Sequence, residues 1–189
     1  MIKLVVGLGN PGQQYDKTRH NAGFVFLDRL ISVCGGNWVV SSQFQGETAI
    51  CSLGGHKLVL LKPTTYMNRS GASVGSLMRY YKFGAEELLV AHDELDLPEG
   101  VLKLKRDGGH AGHNGLRDII AHIDSRDFYR LRIGIGRPEP GKNVADYVLS
   151  KPSKEAGIRL DDVLAIAVNS LDLLMAGKVS EFNALALTG

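Results

Sequence analysis

Met1-Ile-Lys-Leu-Val-Val-Gly7-Leu-Gly9-Asn10-Pro-Gly12 opens the chain, and its reading decides the fold class. Ile2–Leu8 is apolar apart from Lys3 and runs into glycine, the pattern of a short strand buried on both faces. Such strands belong to parallel sheets covered by helices on each side. The glycines also fit G-x-G-x-x-G, the dinucleotide fingerprint, but that motif needs a helix opening at its third glycine so that amides face a pyrophosphate. Here Pro11-Gly12-Gln-Gln-Tyr15-Asp16 leads into a polar stretch, and apolar residues at helical spacing begin only near Ala22. The run reads better as a turn that presents Asn10.

Working outward, Ala22–Val33 carries Phe24, Leu27, Leu30 and Ile31 at helical spacing. Ala49–Leu53 and Lys57–Leu61 flank Gly54-Gly55, a hairpin signal, and Pro63 ends the second strand. Ser70 is predicted to cap an amphipathic helix with Val74, Leu77, Met78 and Tyr81 that stops at Gly84. Leu88–Ala91 reads as another buried strand, and Val101–Arg106 and Tyr129–Ile135 as half-exposed ones. Leu116–Ile123 and residues 158–176 read as helical. With no repeat and no dividing linker, the pattern predicts a single domain over residues 1–189. The expected architecture is α/β: three α/β/α layers around a twisted mixed, mostly parallel sheet.

The 189 residues suffice for a full hydrophobic core, and 44% hydrophobic with 22% charged is an ordinary folded composition. There is no apolar run of about 18 residues to cross a membrane and no secretory signal pattern at Met1. Cys34 and Cys51 read as two lone cysteines rather than a disulfide framework, so a cytoplasmic location is expected. The net charge of +2 hides an asymmetry: residues 1–83 hold nine cations against three anions, a balance of +6, and the remainder carries −4. That asymmetry points to an anionic partner or to an unevenly charged solvated surface.

Two further motifs invite chemistry. Gly71-Ala-Ser73-Val-Gly75 matches the G-x-S-x-G nucleophile elbow, but lies inside a helical pattern rather than on a turn after a strand. Small residues at a close helix contact explain it as well. His110-Ala-Gly-His113 has two histidines three apart on a glycine-rich loop, a poor fixed scaffold for zinc, so a site without a metal is expected. In open α/β sheets ligands sit beyond the carboxyl ends of the strands. Asn10, Asn68 and Asp93 all follow predicted strands, His20 lies at the mouth of the first helix, and Asn114 enters another, where it is also a candidate N-cap. Each has an ordinary alternative as a cap, turn former or surface residue. Together they can form one site, in which a His–Asp pair activates water and neutral amides hold a carbonyl. Lys103 and Lys105, and likewise Arg130 and Arg132, alternate with apolar residues and could present a basic face to phosphate, or simply a solvated one. Tyr15 and Tyr66 flank the site and could stack on a base.

Gly7-Leu-Gly-Asn10-Pro-Gly12, Tyr15-Asp-Lys-Thr-Arg-His20-Asn-Ala-Gly23, Lys62-Pro-Thr-Thr-Tyr-Met-Asn68-Arg-Ser-Gly71, His92-Asp93-Glu-Leu-Asp-Leu-Pro98 and Gly112-His113-Asn114-Gly115 occur in this order. In these motifs, from residue 1 to about Pro152, the chain resembles the bacterial-type peptidyl-tRNA hydrolase family. The resemblance implies a monomeric, cofactor-free esterase that frees tRNA from prematurely released peptidyl-tRNA. It implies His20 as general base, Asp93 as its support, and Asn10 as a sensor of the acylated α-amino group. Asn68 and Asn114 would hold substrate and water, and Tyr15 and Tyr66 would line the tRNA end. Lys105 and Arg132 would contact tRNA phosphate, with Lys103 as a helper. Arg106-Asp107 and Ala111 depart from the family pattern, which bears on rim contacts and loop flexibility. The other classes considered are a serine esterase using Ser73 and an RNA-binding protein without catalysis.

Overall fold

A computed structural model describes residues 1–186. Seven strands form one sheet: β1 (Leu4–Gly7), β2 (Val39–Ser41), β3 (Gly46–Leu53), β4 (His56–Pro63), β5 (Leu88–Glu94), β6 (Leu102–Arg106) and β7 (Tyr129–Gly134), in the order β2-β3-β4-β1-β5-β7-β6. The four central strands β4, β1, β5 and β7 run parallel, with antiparallel pairings at both edges. The helices are α1 (Ala22–Cys34), α2 (Ser70–Tyr81), α3 (Asn114–Ile123), α4 (Val144–Val148), α5 (Lys154–Asn169), α6 (Leu171–Met175) and α7 (Val179–Ala186).

Strand alternation divides the core. Val5, Leu60, Leu89, Leu131 and Leu104 face α1, α5, α6 and α7, whereas Leu4, Val6, Leu61, Leu88 and Val90 face α2 and α3. Buried apolar side chains on both faces produce the three α/β/α layers. The loop after β1 lies close against the start of α1. A Cβ on Gly7 would run into the Gly23 carbonyl oxygen, and one on Gly23 into the backbone of Leu8 and Ala91. The glycine motif therefore serves close backbone packing rather than a phosphate.

Several sequence expectations are corrected. Ser70 does not cap α2: its hydroxyl donates to the Met67 carbonyl at 2.8 Å, and the Gly71 N–H is capped by Asp118 Oδ2 from α3 at 2.8 Å. Asn114 is the first residue of α3, and its N-cap is His113, whose Nδ1 accepts from Leu116 N–H. β5 runs to Glu94, so Asp93 lies within the strand's carboxyl end. Strand β2 and helices α4 and α7 add to the predicted elements. Cys34 and Cys51, read as two lone cysteines, are bonded to each other, with Cα atoms 5.5 Å apart, tying the end of α1 to β3.

Candidate active site

The carboxyl ends of the parallel strands open into a cleft of about 520 Å³ lined by Asn10, His20, Tyr66, Asn68, Asp93 and Asn114, among others. Asp93, 3% exposed, is the anchor. Its carboxylate accepts from His20 Nδ1 at 2.9 Å and from His113 Nε2 at 2.8 Å. His113 Nδ1 already accepts from the Leu116 amide, so Nε2 carries its proton and donates to Asp93. Nδ1–H of His20 faces the same carboxylate, which leaves His20 Nε2 as the basic nitrogen. Burial works against ionising Asp93, but the electrostatic attraction of the His113 and His20 rings and the hydrogen bonds they donate outweigh it and hold the acid well below the usual carboxylate range. Asp93 is thus a fixed anion that can stabilise an imidazolium on His20.

Asn10 is oriented just as firmly. Its main chain exchanges hydrogen bonds with the Asn21 side chain at 2.8 and 2.9 Å, and its Oδ1 accepts from Met67 N–H at 2.7 Å. Nδ2 is then the end of the amide left to donate to a ligand. Tyr66, with a φ of 39°, sits in the left-handed region just before the turn that delivers Met67 to Asn10 and presents Asn68 to the cleft. Asn68 and Asn114 are both exposed at the cleft wall. Tyr15 and Tyr66 meet edge-to-face, ring centroids 6.4 Å apart.

Beside the cleft, β6 and β7 pair Lys103 with Arg132 and Lys105 with Arg130. Lys103 and Lys105 are exposed, and Arg132 is held by Glu94 at 2.7 Å. Arg130 departs from the expected basic face: it is 3% exposed, stacks on Phe128, and donates to the Gly108 and Gly109 carbonyls. It braces the glycine-rich loop rather than facing solvent.

Ser73 is fully buried inside α2, and its hydroxyl donates to the Phe44 carbonyl at 2.6 Å rather than to a histidine or carboxylate. The donor atoms of His20, Asp93 and His113 lie within 4.8 Å of one another, the one such trio able to offer three metal ligands among the described residues. Their mutual hydrogen bonds already account for the arrangement. Sequence reasoning missed His113 as a partner of Asp93 and Asn21 as the brace of Asn10. A cap signal was available for the first, a side-chain acceptor three residues before Leu116, whereas nothing local marks the second.

The peptidyl-tRNA hydrolase family profile matches residues 4–187. The chain belongs to that family. It is 50% identical over 175 residues to a peptidyl-tRNA hydrolase of Dichelobacter nodosus, covering 93% of each chain, and 49% identical over 180 residues to one of Neisseria meningitidis, covering 95% of this chain and 94% of the relative. The crystal structure of the peptidyl-tRNA hydrolase from Acinetobacter baumannii superposes with a TM-score of 0.93 at 44% identity, over 98% of this chain and 94% of that one. As a member of the family the chain is a hydrolase of mixed α/β fold. No helix among the described residues is long and apolar enough to cross a membrane.

Proposed function

We propose that the protein cleaves the ester between the peptide and the 3′-ribose of peptidyl-tRNA, with water activated by His20. His20 Nε2 takes a proton as the water oxygen attacks the ester carbonyl carbon. Asp93 steadies the resulting imidazolium, and His113 keeps Asp93 aligned. Amide donors of Asn10, Asn68 and Asn114 hold the carbonyl group and the water, and stabilise charge that develops on oxygen. Collapse of the tetrahedral intermediate breaks the carbon–oxygen bond, and the proton on His20 passes to the departing ribose oxygen. All the groups this step calls on are side chains of the chain itself. Asn10 would tell an acylated α-amino group from a free one, and Tyr15 and Tyr66 would stack on the tRNA end. Lys105 and Arg132, helped by Lys103, would hold tRNA phosphate.

The observation that carries the reading is the shared carboxylate of Asp93, which orients a basic histidine nitrogen into the cleft that Asn10 lines. We further take residues 1–189 to act as one domain and as a monomer. We place the enzyme in the cytoplasm with its substrate, where a reducing environment would open the Cys34–Cys51 bond. The test compares N-acetyl-aminoacyl-tRNA with the unblocked aminoacyl-tRNA in EDTA. Release of tRNA from the blocked form only, unchanged in Ser73→Ala enzyme that folds normally, is expected. Equal hydrolysis of both forms, or loss of activity in Ser73→Ala alone, would overturn it.

A further inference from the structure

His92 Nε2 and Arg130 Nε are buried and have no partner among the described residues. Both residues line one small cavity of about 70 Å³ between β5, β6, β7 and the 108–111 loop, whose walls include Lys105, Arg132 and Glu94. Such a volume holds about two water molecules. The cavity shares Glu94, Asp96 and Ala111 with the cleft, so the two spaces adjoin.

The tautomer of His92 follows from its partner. Its Nδ1 lies 2.8 Å from the main-chain oxygen of Asp93, and a carbonyl oxygen only accepts, so Nδ1 carries the hydrogen. Burial, reinforced by His113, keeps the ring neutral, with its pKa pushed down to about 3. Nε2 is then a bare acceptor, costly to leave unmet in a buried place. A polar cavity lined by two residues that each carry an unpartnered nitrogen is a site for ordered water. The other edge of the assembly borders the catalytic set: His92 and His113 rings meet edge-to-face at 5.0 Å, and His92 Nδ1 donates to the main-chain oxygen of Asp93.

We infer that His92 is a positioning residue for the hydrolysis, whose Nε2, through water in this cavity, links the Lys105–Arg132 face to the Asp93–His113 pair. A phosphate seated on those cations then steadies the carboxylate that orients His20. This rests on the hydrolase reading of the cleft. Asparagine at position 92 keeps a donor near Nδ1 and lacks the acceptor, whereas glutamine can place an oxygen near Nε2.

The test is a double-mutant cycle on N-acetyl-aminoacyl-tRNA. His92→Asn is expected to lower kcat about tenfold with KM little changed, and His92→Gln to recover most of that loss. Combined with Lys105→Ala, the His92→Asn effect on kcat/KM should be about fivefold smaller than in the wild-type background. Wild-type kcat in His92→Asn, or effects that simply multiply, would overturn the inference. If His92→Asn fails to fold, ¹⁵N spectra of His92 in the wild-type protein decide: a bare Nε2 beside a protonated Nδ1 supports it, and a protonated Nε2 ends it. Inactive wild-type enzyme would bring down the hydrolase reading and this inference with it, whereas failure of the inference alone leaves wild-type hydrolysis intact.

Discussion

Asp93 and His92 are neighbours in β5, and both resist protonation in the folded state, for different reasons. Asp93 stays ionised because His113 and His20 donate to it; His92 stays neutral because burial penalises its charged form. Both folded pKa values lie below the unfolded ones, so the unfolded chain binds protons first as pH falls, and acid lowers stability. For His92 the loss starts near the ordinary histidine value of about 6.5 and runs down toward its folded value; for Asp93 it starts near about 3.9. Between pH 6.5 and 5 the wild type should therefore lose roughly 1.6 kcal/mol more stability than His92→Gln, which has no titrating group there. Urea unfolding at the two pH values measures this, and parallel losses would contradict it. The site's key pairing was only partly legible from residues. His20 and Asp93 were visible as candidates, but the sharing of one carboxylate by His20 and His113 comes from contacts across 73 and 20 positions of chain.

At the scale of elements, local signals worked where the structure is local. The Gly54-Gly55 hairpin, the delayed start of α1 after the glycine turn, and the buried strand β1 all follow from short-range pattern. Signals failed where a distant element supplies the partner. The first turn of α2 is capped by Asp118 from α3, so Ser70 looked like the cap and is not. Helix α4 is short and leans on tertiary anchors instead: the Tyr147 hydroxyl donates to Ile135 O, and Arg19 stacks on Tyr147 at 4.2 Å. The Cys34–Cys51 bond is of the same kind, since a separation of 17 positions does not reveal that α1 ends against β3. On the chain-entropy account a loop of that size stabilises by about 3 kcal/mol. Reduction, or serine at both positions, should lower Tm by roughly 6–12 °C. Activity at 25 °C should barely change, because the bond lies at the far end of α1 from His20. A large fall in kcat on reduction would show that the bond supports the site.

For the whole molecule, charge is distributed by pairing rather than by segment. The +6 of residues 1–83 did not locate the candidate RNA face, because Lys103, Lys105 and Arg132 lie in the part of the chain that is net negative. That remainder offsets its cations locally, as Arg106 with Asp127 and Arg137 with Asp96 illustrate, and leaves Lys103 and Lys105 exposed on one strand. Alanine at Lys105 should raise KM for tRNA substrates and reduce the slope of log KM against log salt by about 0.7–0.9. A short nucleotide ester should be spared, and an equal effect on it would contradict the assignment. The basic face of β6 and β7 serves binding, whereas cleavage in the cleft hinges on His20. The most direct measurement is single-turnover cleavage of N-acetyl-aminoacyl-tRNA by saturating His20→Ala enzyme, with the Kd measured in parallel. A wild-type Kd with cleavage slowed about a thousandfold is expected if His20 is the general base; wild-type cleavage by that variant would rule that role out.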